Sequence, residues 1–401
     1  MKLRNFSEIK DDFNLPEMVY LDNAATTFCP EVVVGSLIDY HRNYKANIHR
    51  GIHRLAERAT AEYEGVREKV RKLLNAKRDS EVVFTSGTTQ SLNMIAMGLC
   101  SSWGSGDSII VTEAEHHANL LPWINIAEKN GISFHKINVI KDGSLDLAQL
   151  EETLDECSGR ILFSIAHVNN TIGNIQPIKA LFKLVKEYEG ITVLDAAQSI
   201  AKETVDVQDL DADFVAFSGH KFYGPTGVGV LYGKQKYLEK LDPVFWGGDM
   251  ISEVHWDVVK VNQLPWKLEA GTPNIGGVIA LGAAIDWFTS YDIESFQAHS
   301  KLINATMQMM LNDLDFIEVF HPSYYKAGLI SFNIKGCYPA DVAQLLDVQN
   351  IAVRSGFLCA QPIVEEKFPN GVVRASWACY NTKDDIEKLR TALITCYEKL
   401  A

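Results

Sequence analysis

The feature that most constrains this chain is an alternation of short apolar runs and amphipathic runs between Glu81 and Tyr232. Apolar runs fall at 81–85, 108–112, 132–137, 160–166, 191–194, 213–217 and 228–232. Helical patterns fill most of the gaps, from Ser86 to about Leu99, around Trp123, at about 146–155 and from Pro177. Strand–helix repeats of this kind predict a mostly parallel sheet with helices on both faces. Polar residues cluster directly after the runs: Thr85-Ser86, His116, Asn170, Asp195 and Gln198. A polar residue after a strand is ordinarily a turn or a cap. Several of them at one sheet edge, where open α/β sheets bind ligands, predict a site.

The stretch Ser218-Gly219-His220-Lys221-Phe222-Tyr223-Gly224-Pro225 follows the run at 213–217. Alone it reads as a solvated bend. A lysine at the end of a buried strand is costly to desolvate unless it is paired or used. With Asp195, His116 and Thr89 at the same edge, Lys221 reads as an amine of lowered pKa that binds a carbonyl cofactor covalently. Ser86-Gly87-Thr88-Thr89-Gln90-Ser91 opens a helix. Its small hydroxyl residues make a cap, and its free amides and dipole suit a phosphate. The pattern is neither G-x-G-x-x-G nor a Walker A loop. Asp22-Asn23-Ala24-Ala25-Thr26-Thr27 is a small-residue turn that a ligand can approach closely, ahead of a helix opened by Pro30.

The net charge of −13, from 38 basic and 51 acidic residues, argues against general affinity for nucleic acid or anionic membranes. No stretch approaches the ~18 apolar residues of a membrane span, and Met1 to Tyr20 has no apolar core of signal-peptide length. The seven cysteines, at 29, 100, 157, 337, 359, 379 and 396, are scattered and include no C-x-x-C. This predicts free thiols in a reducing compartment, the cytoplasm, and leaves room for one reactive nucleophile. Residues 46–58 are rich in His and Arg, and read as a solvated face or as the mouth of a site for an anionic substrate. His49 and His53 are spaced to share a helical face, but no H-E-x-x-H accompanies them and no metal is expected.

Residues 243–274 read as mostly irregular, and helices are expected at about 276–290 and 293–313. The last ~90 residues read as a smaller α+β unit, with strands near 316–320, 328–334, 351–354 and 372–376. Within it, Arg354-Ser355-Gly356-Phe357-Leu358-Cys359-Ala360-Gln361-Pro362 runs from a strand into a turn that carries a cysteine.

A lysine, a carboxylate and an anion site at one sheet edge are what pyridoxal 5'-phosphate chemistry needs. The chain resembles the class V aminotransferase family, fold type I of the pyridoxal phosphate enzymes, and within it the group II cysteine desulfurases of the SUF/CSD type. The resemblance rests on LDNAATT, NIHRGIH, SGTTQSLN, EAEHHANLLPW, HVNNTIG, LDAAQS, SGHKFYGPTGVGVLYG, EAGTPN, RSGFLCAQP and RASWACYNT, in that order from Leu21 onward. It implies an α/β fold with a large cofactor domain (21–290), whose mostly parallel mixed sheet is flanked by helices. A small α+β C-terminal domain (291–401) carries the Cys359 loop, and an N-terminal segment (1–20) packs on it.

The resemblance also implies roles. Lys221 is the cofactor's covalent anchor and the acid–base. Asp195 pairs with the pyridine nitrogen, and His116 stacks on the ring. Asn170 and Gln198 bond the ring-oxygen region, while Thr89, Ser218 and His220, with Thr88 in the same cofactor site, take the phosphate. Thr272 reaches the phosphate of the other subunit of a homodimer. Arg374, with Asn170, holds the substrate carboxylate, and Ala25, His53 and Arg354 line the substrate mouth. L-cysteine is converted to L-alanine, leaving a persulfide on Cys359, and a small acceptor protein takes the sulfur toward iron–sulfur cluster or other thio-cofactor assembly. The alternatives on the same fold are a selenocysteine lyase, acting on L-selenocysteine, and a cysteine/cystine C–S lyase. One departure stands out. The family usually places a histidine directly before the cysteine, whereas Phe357-Leu358 stand here, and apolar neighbours oppose ionisation of a thiol.

Overall fold

The structure, a computed structural model, describes residues 3–321 and 327–401. Met1 and Lys2, the start of the expected N-terminal segment, lie outside the described residues.

A two-residue strand, β1 (Val19–Tyr20), precedes the strands of the central sheet. These are β2 (Val82–Thr85), β3 (Ser108–Thr112), β4 (Ser133–Ile137), β5 (Ile161–Ala166), β6 (Ile191–Asp195), β7 (Phe214–Ser218) and β8 (Gly229–Gly233). Among the described residues the sheet order is β2-β8-β7-β6-β5-β3-β4. Strands β7, β6, β5, β3 and β4 run parallel, while β8 is antiparallel to both β7 and β2. The fold is therefore α/β with a mostly parallel mixed sheet. Strands β3, β5 and β7 are buried along their whole length, as expected where both faces are covered. Side-chain alternation splits neighbours between two apolar cores. Phe163, Leu194 and Val215 join one, and Leu162, Val193 and Ala216 the other.

Helix α1 (Glu31–Asn43) packs against the helix Ile275–Phe288, as does α2 (Arg54–Leu73). Helix α3 (Thr88–Leu99) follows β2 directly. His49 and His53 do not share a helical face. The capping preference at the start of α2 decides the geometry: His53 is the N-cap and accepts from the Ala56 amide, while His49 lies outside the helix and contacts Glu64 at 2.9 Å.

The stretch read as irregular, whose residues 247–266 resemble the β-hairpin extension of the group II enzymes, contains a hairpin of β9 (Ile251–Val254) and β10 (Val259–Val261), whose Trp256 is fully exposed. The last unit contains β11 (Ile317–Val319), β12 (Leu329–Ile334), β13 (Ile351–Ala352), β14 (Arg354–Gly356) and β15 (Val372–Ser376). Strands β11-β12-β15-β14 form an antiparallel sheet. The single strand expected at 351–354 divides at Val353. On one side β13 pairs in parallel with β1, and on the other β14 joins β15. The start of the chain is thereby tied to the C-terminal sheet, while Ile9 and Phe13 belong to the larger core.

Candidate active site

A cavity of about 330 Å³ opens at the C-terminal edge of the central sheet, under the C-terminal unit. Lys221, Asp195, His116, Asn170, Gln198, Thr88, Thr89, Ser218, His220, Ala25, Arg354, Arg374 and Cys359 all line it. Two residues expected at the site do not. His53 is exposed at the head of α2, and Thr272 is exposed in the loop before the helix Ile275–Phe288.

The floor is built by close approach of backbones. Gly87 precedes α3 at φ +153, and a Cβ there would lie 3.1 Å from the Ser218 hydroxyl. A Cβ on Gly229 would meet the Gly87 Cα at 2.4 Å. Glycine at both positions lets β8 and β7 slide under the start of α3. Ser218 Oγ then accepts from the Thr88 amide at 2.9 Å and lies 2.8 Å from its hydroxyl. The amides of a first helical turn have no intrahelical acceptor, and here they suit an anion.

Lys221 ends a short 3-10 turn after β7, and burial pushes its pKa down, opposed by the charge of Asp195. Asp195 ends β6. Its carboxylate accepts from the Ala197 amide at 2.9 Å, and burial raises its pKa. Among the described residues it makes no salt bridge. His116 is pushed down to about 3, chiefly by burial and then by the Lys221 charge. Its Nδ1 accepts from the Ala118 amide, so the neutral ring carries its proton on Nε2. Burial likewise takes His220 to about 4.

The cavity wall on the C-terminal side holds two arginines and the thiol. Arg374 is 3% exposed, donates from Nη1 to the Asn170 carbonyl at 2.8 Å and lies 3.3 Å from Asp22 through Nη2. Burial lowers it to about 10. Arg354 contacts Asp22 at 2.8 Å. Cys359 is exposed and lines the cavity with Lys221, Arg354 and Arg374.

The loop that carries Cys359 is a double left-handed turn. Leu358 has φ +54 and Cys359 φ +56. Each such non-glycine residue costs about 1–2 kcal/mol. Asn170 Nδ2 donates to the Leu358 carbonyl at 2.7 Å, and the His117 amide donates to the Cys359 carbonyl at 2.7 Å. The Leu358 side chain, 8% exposed, belongs to an apolar cluster with Ala114, Ile172, Phe320 and Val364. Burying a leucine contributes about 1.5–3 kcal/mol, which offsets a large part of the turn's cost.

The class-V aminotransferase family model matches residues 19–389. The chain belongs to the class-V aminotransferase family. A relative named "Probable cysteine desulfurase" from Halalkalibacterium halodurans is 41% identical over 389 residues, covering 97% of this chain and 95% of that protein. A "Cysteine desulfurase" from Haloferax volcanii is 40% identical, covering 98% of this chain and 92% of its own. The solved apo structure of a cysteine desulfurase from Thermococcus onnurineus matches 100% of this chain and 99% of its own, with a TM-score of 0.94 and 37% identity.

Class-V aminotransferases of this kind depend on pyridoxal phosphate, and the residues present fit it. Asn170 Oδ1 is a buried acceptor with no partner, and Arg374 Nε is a buried donor with none. Asp195 is a buried carboxylate that makes no salt bridge among the described residues, which suits a protonated pyridine nitrogen. The start of α3 with Ser218 forms a phosphate cradle.

Four residues around this site escape sequence reasoning. Asp22 lies in the LDNAATT turn and takes both arginines. No local signal marks it as their partner, since the arginines lie 332 and 352 residues away. Buried Glu115, raised to about 7 chiefly by burial, accepts from Thr112, Asn119 and the Ala166 amide, bracing the His116 turn. Lys202, lowered to about 7 by burial, lies 3.4 Å from Gln198 Oε1, whose amide nitrogen donates to the Ala24 carbonyl. His117 holds the thiol loop. No cluster of three or more metal-ligating side chains exists among the described residues, and no helix among them is long and apolar enough to cross a membrane.

Proposed function

We propose that this chain is a pyridoxal phosphate-dependent cysteine desulfurase that converts L-cysteine to L-alanine and keeps the sulfur as a persulfide on Cys359. One observation carries the reading: a buried lysine of lowered pKa and an exposed thiol line the same cavity.

What the cofactor supplies when bound is an electron sink for the carbanion at the substrate Cα. Asp195 would keep the pyridine nitrogen protonated. Neutral His116 would lie against the ring, since a charged imidazole there is disfavoured by burial. Gln198 and Asn170 would meet the ring oxygen, and Thr88, Thr89, Ser218 and His220 the phosphate. Arg374 would take the substrate carboxylate with its free Nε–H, helped by Arg354 at the mouth and Ala25 beside it. Lys221 Nζ, whose charged form burial disfavours, would take the Cα proton and later return a proton to carbon. Cys359 Sγ attacks the substrate sulfur as the thiolate. The Sγ–S bond forms, the substrate Cβ–S bond breaks, and its electron pair goes to carbon. The balance is one cysteine and one protein thiol in, one alanine and one persulfide out.

The unit 21–290 would bind the cofactor and 291–401 would carry the thiol, with the end of the segment 1–20, Val19–Tyr20, on the latter. A homodimer would bring Thr272 and His53, both exposed here, toward a partner's site. A small acceptor protein would take the sulfur, in the cytoplasm. The test is product analysis after incubation of the holoenzyme with L-cysteine. Alanine in amounts matching the sulfur released supports the reading, whereas pyruvate and ammonia point to elimination and contradict it.

A further inference from the structure

The residue before the thiol is a leucine, and the structure gives its side chain a job. Three of the contacts that hold the turn use backbone atoms of the loop: Asn170 on the Leu358 carbonyl, the His117 amide on the Cys359 carbonyl, and the Ala360 amide on the Phe357 carbonyl. Any side chain at 358 would allow them. The exception is the Leu358 side chain itself, which enters the cluster of Ala114, Ile172, Phe320, Ile363, Val364 and Val372. A polar side chain at 358 would have to bury its polar atoms in that cluster. A smaller one would leave a void and free two residues to relax to right-handed backbone angles.

We propose that Leu358 is a positioning residue for the thiol: its side chain is an apolar peg that holds the left-handed turn and so fixes Cys359 at the cavity. The peg also acts on Asn170. With Nδ2 committed to the Leu358 carbonyl, the amide turns its partnerless Oδ1 elsewhere in the buried site. The loop is thereby pinned by packing at the position where the family usually has a histidine. The proposal rests on the reading of Cys359 as the sulfur-accepting thiol.

The test compares wild type, Leu358→Ala and Leu358→Met as holoenzymes. Two quantities are read: the single-turnover rate of persulfide formation on Cys359, and the rate of Cys359 alkylation by iodoacetamide without substrate, both by peptide mass spectrometry. Misplacing a reacting atom by about 1 Å costs on the order of 10²-fold, so Leu358→Ala is expected to slow persulfide formation by roughly 10-fold or more. Substrate affinity, read from the cofactor absorbance, is expected to stay within about two-fold, because Arg374 is held by the Asn170 backbone carbonyl and by Asp22, neither of which depends on the side chain at 358. Alkylation is expected to speed up several-fold as the thiol is released, and Leu358→Met, which keeps the volume, restores both rates. An alkylation rate in Leu358→Ala equal to wild type overturns the proposal, whatever the persulfide rate does. If Leu358→Ala fails to fold, Leu358→Val is read by the same criterion. A wild type that forms no persulfide contradicts the functional reading, and the alkylation comparison still decides the peg.

Discussion

Arg354 grips Asp22 across the cavity mouth with two donors, Nε at 3.1 Å from Oδ1 and Nη2 at 2.8 Å from Oδ2. The same carboxylate reaches the buried Arg374 at 3.3 Å. Asp22 therefore aims both arginines while leaving one net positive charge, which matches a substrate carboxylate. Removing one partner of a buried ion pair costs about 3–5 kcal/mol. The long Arg374 contact and the half-exposed Arg354 place Asp22→Asn below that range, at about 2 kcal/mol. Chemical denaturation should read this loss, and steady-state kinetics a rise in KM for L-cysteine of about 10-fold with a smaller change in kcat. An unchanged KM would remove Asp22 from the binding site.

Lys221→Ala separates catalysis from stability. Proton transfer by a positioned side chain is worth about 10²–10⁴-fold, and alanine formation should fall by at least that much. The cofactor-free variant should unfold no more easily than wild type at neutral pH, since it no longer buries an amine whose charge is disfavoured. Thermal melts and alanine quantitation check the two halves.

Acid should unfold the cofactor-free protein through its buried histidines. His116, His167 and His220 are lowered to about 3, 4 and 4, with burial the largest cause in each case. Between those values and the ordinary histidine value, the unfolded chain binds more protons than the folded one, so stability rises with pH there and is lost as pH falls. Inside its window the buried His167 contributes on the order of 1.4 kcal/mol per pH unit, and the more exposed His220, screened by water, contributes less. Urea midpoints measured at pH 7.5 and pH 5 should differ, and His167→Gln should reduce the difference. Equal midpoints at both values would contradict the burial argument.

Gly87→Ala tests the cradle. The new methyl would press on the Ser218 hydroxyl at 3.1 Å from a backbone at φ +153, which only glycine adopts readily. A strained backbone of this kind costs about 1–3 kcal/mol. The variant should melt lower and release its cofactor faster on dilution, followed by absorbance.

Much of the fold and part of the site can be read from local sequence. Lys221, Asp195 and His116 each lie within four residues of the end of an apolar run, so the strand ends announce them. The Asp22–Arg354 and Asp22–Arg374 contacts join residues 332 and 352 apart, and nothing local marks them as partners. The turn at Leu358-Cys359 was equally hidden, because the sign of φ at non-glycine residues is set by packing. The break at Val353 arises from two different strand partners, which periodicity along one segment cannot register. His53 misled for the opposite reason: its i, i+4 spacing to His49 is real, but the cap preference placed it at the helix head and His49 outside.

The most direct test of the account is mass spectrometry of the Cys359 peptide after the holoenzyme meets one equivalent of L-cysteine, with alanine measured in the same sample. The predicted result is the added mass of one sulfur atom on Cys359, one alanine per modified chain, and neither product in useful amount from Cys359→Ala. Alanine and sulfide formed at the full wild-type rate by Cys359→Ala would contradict it.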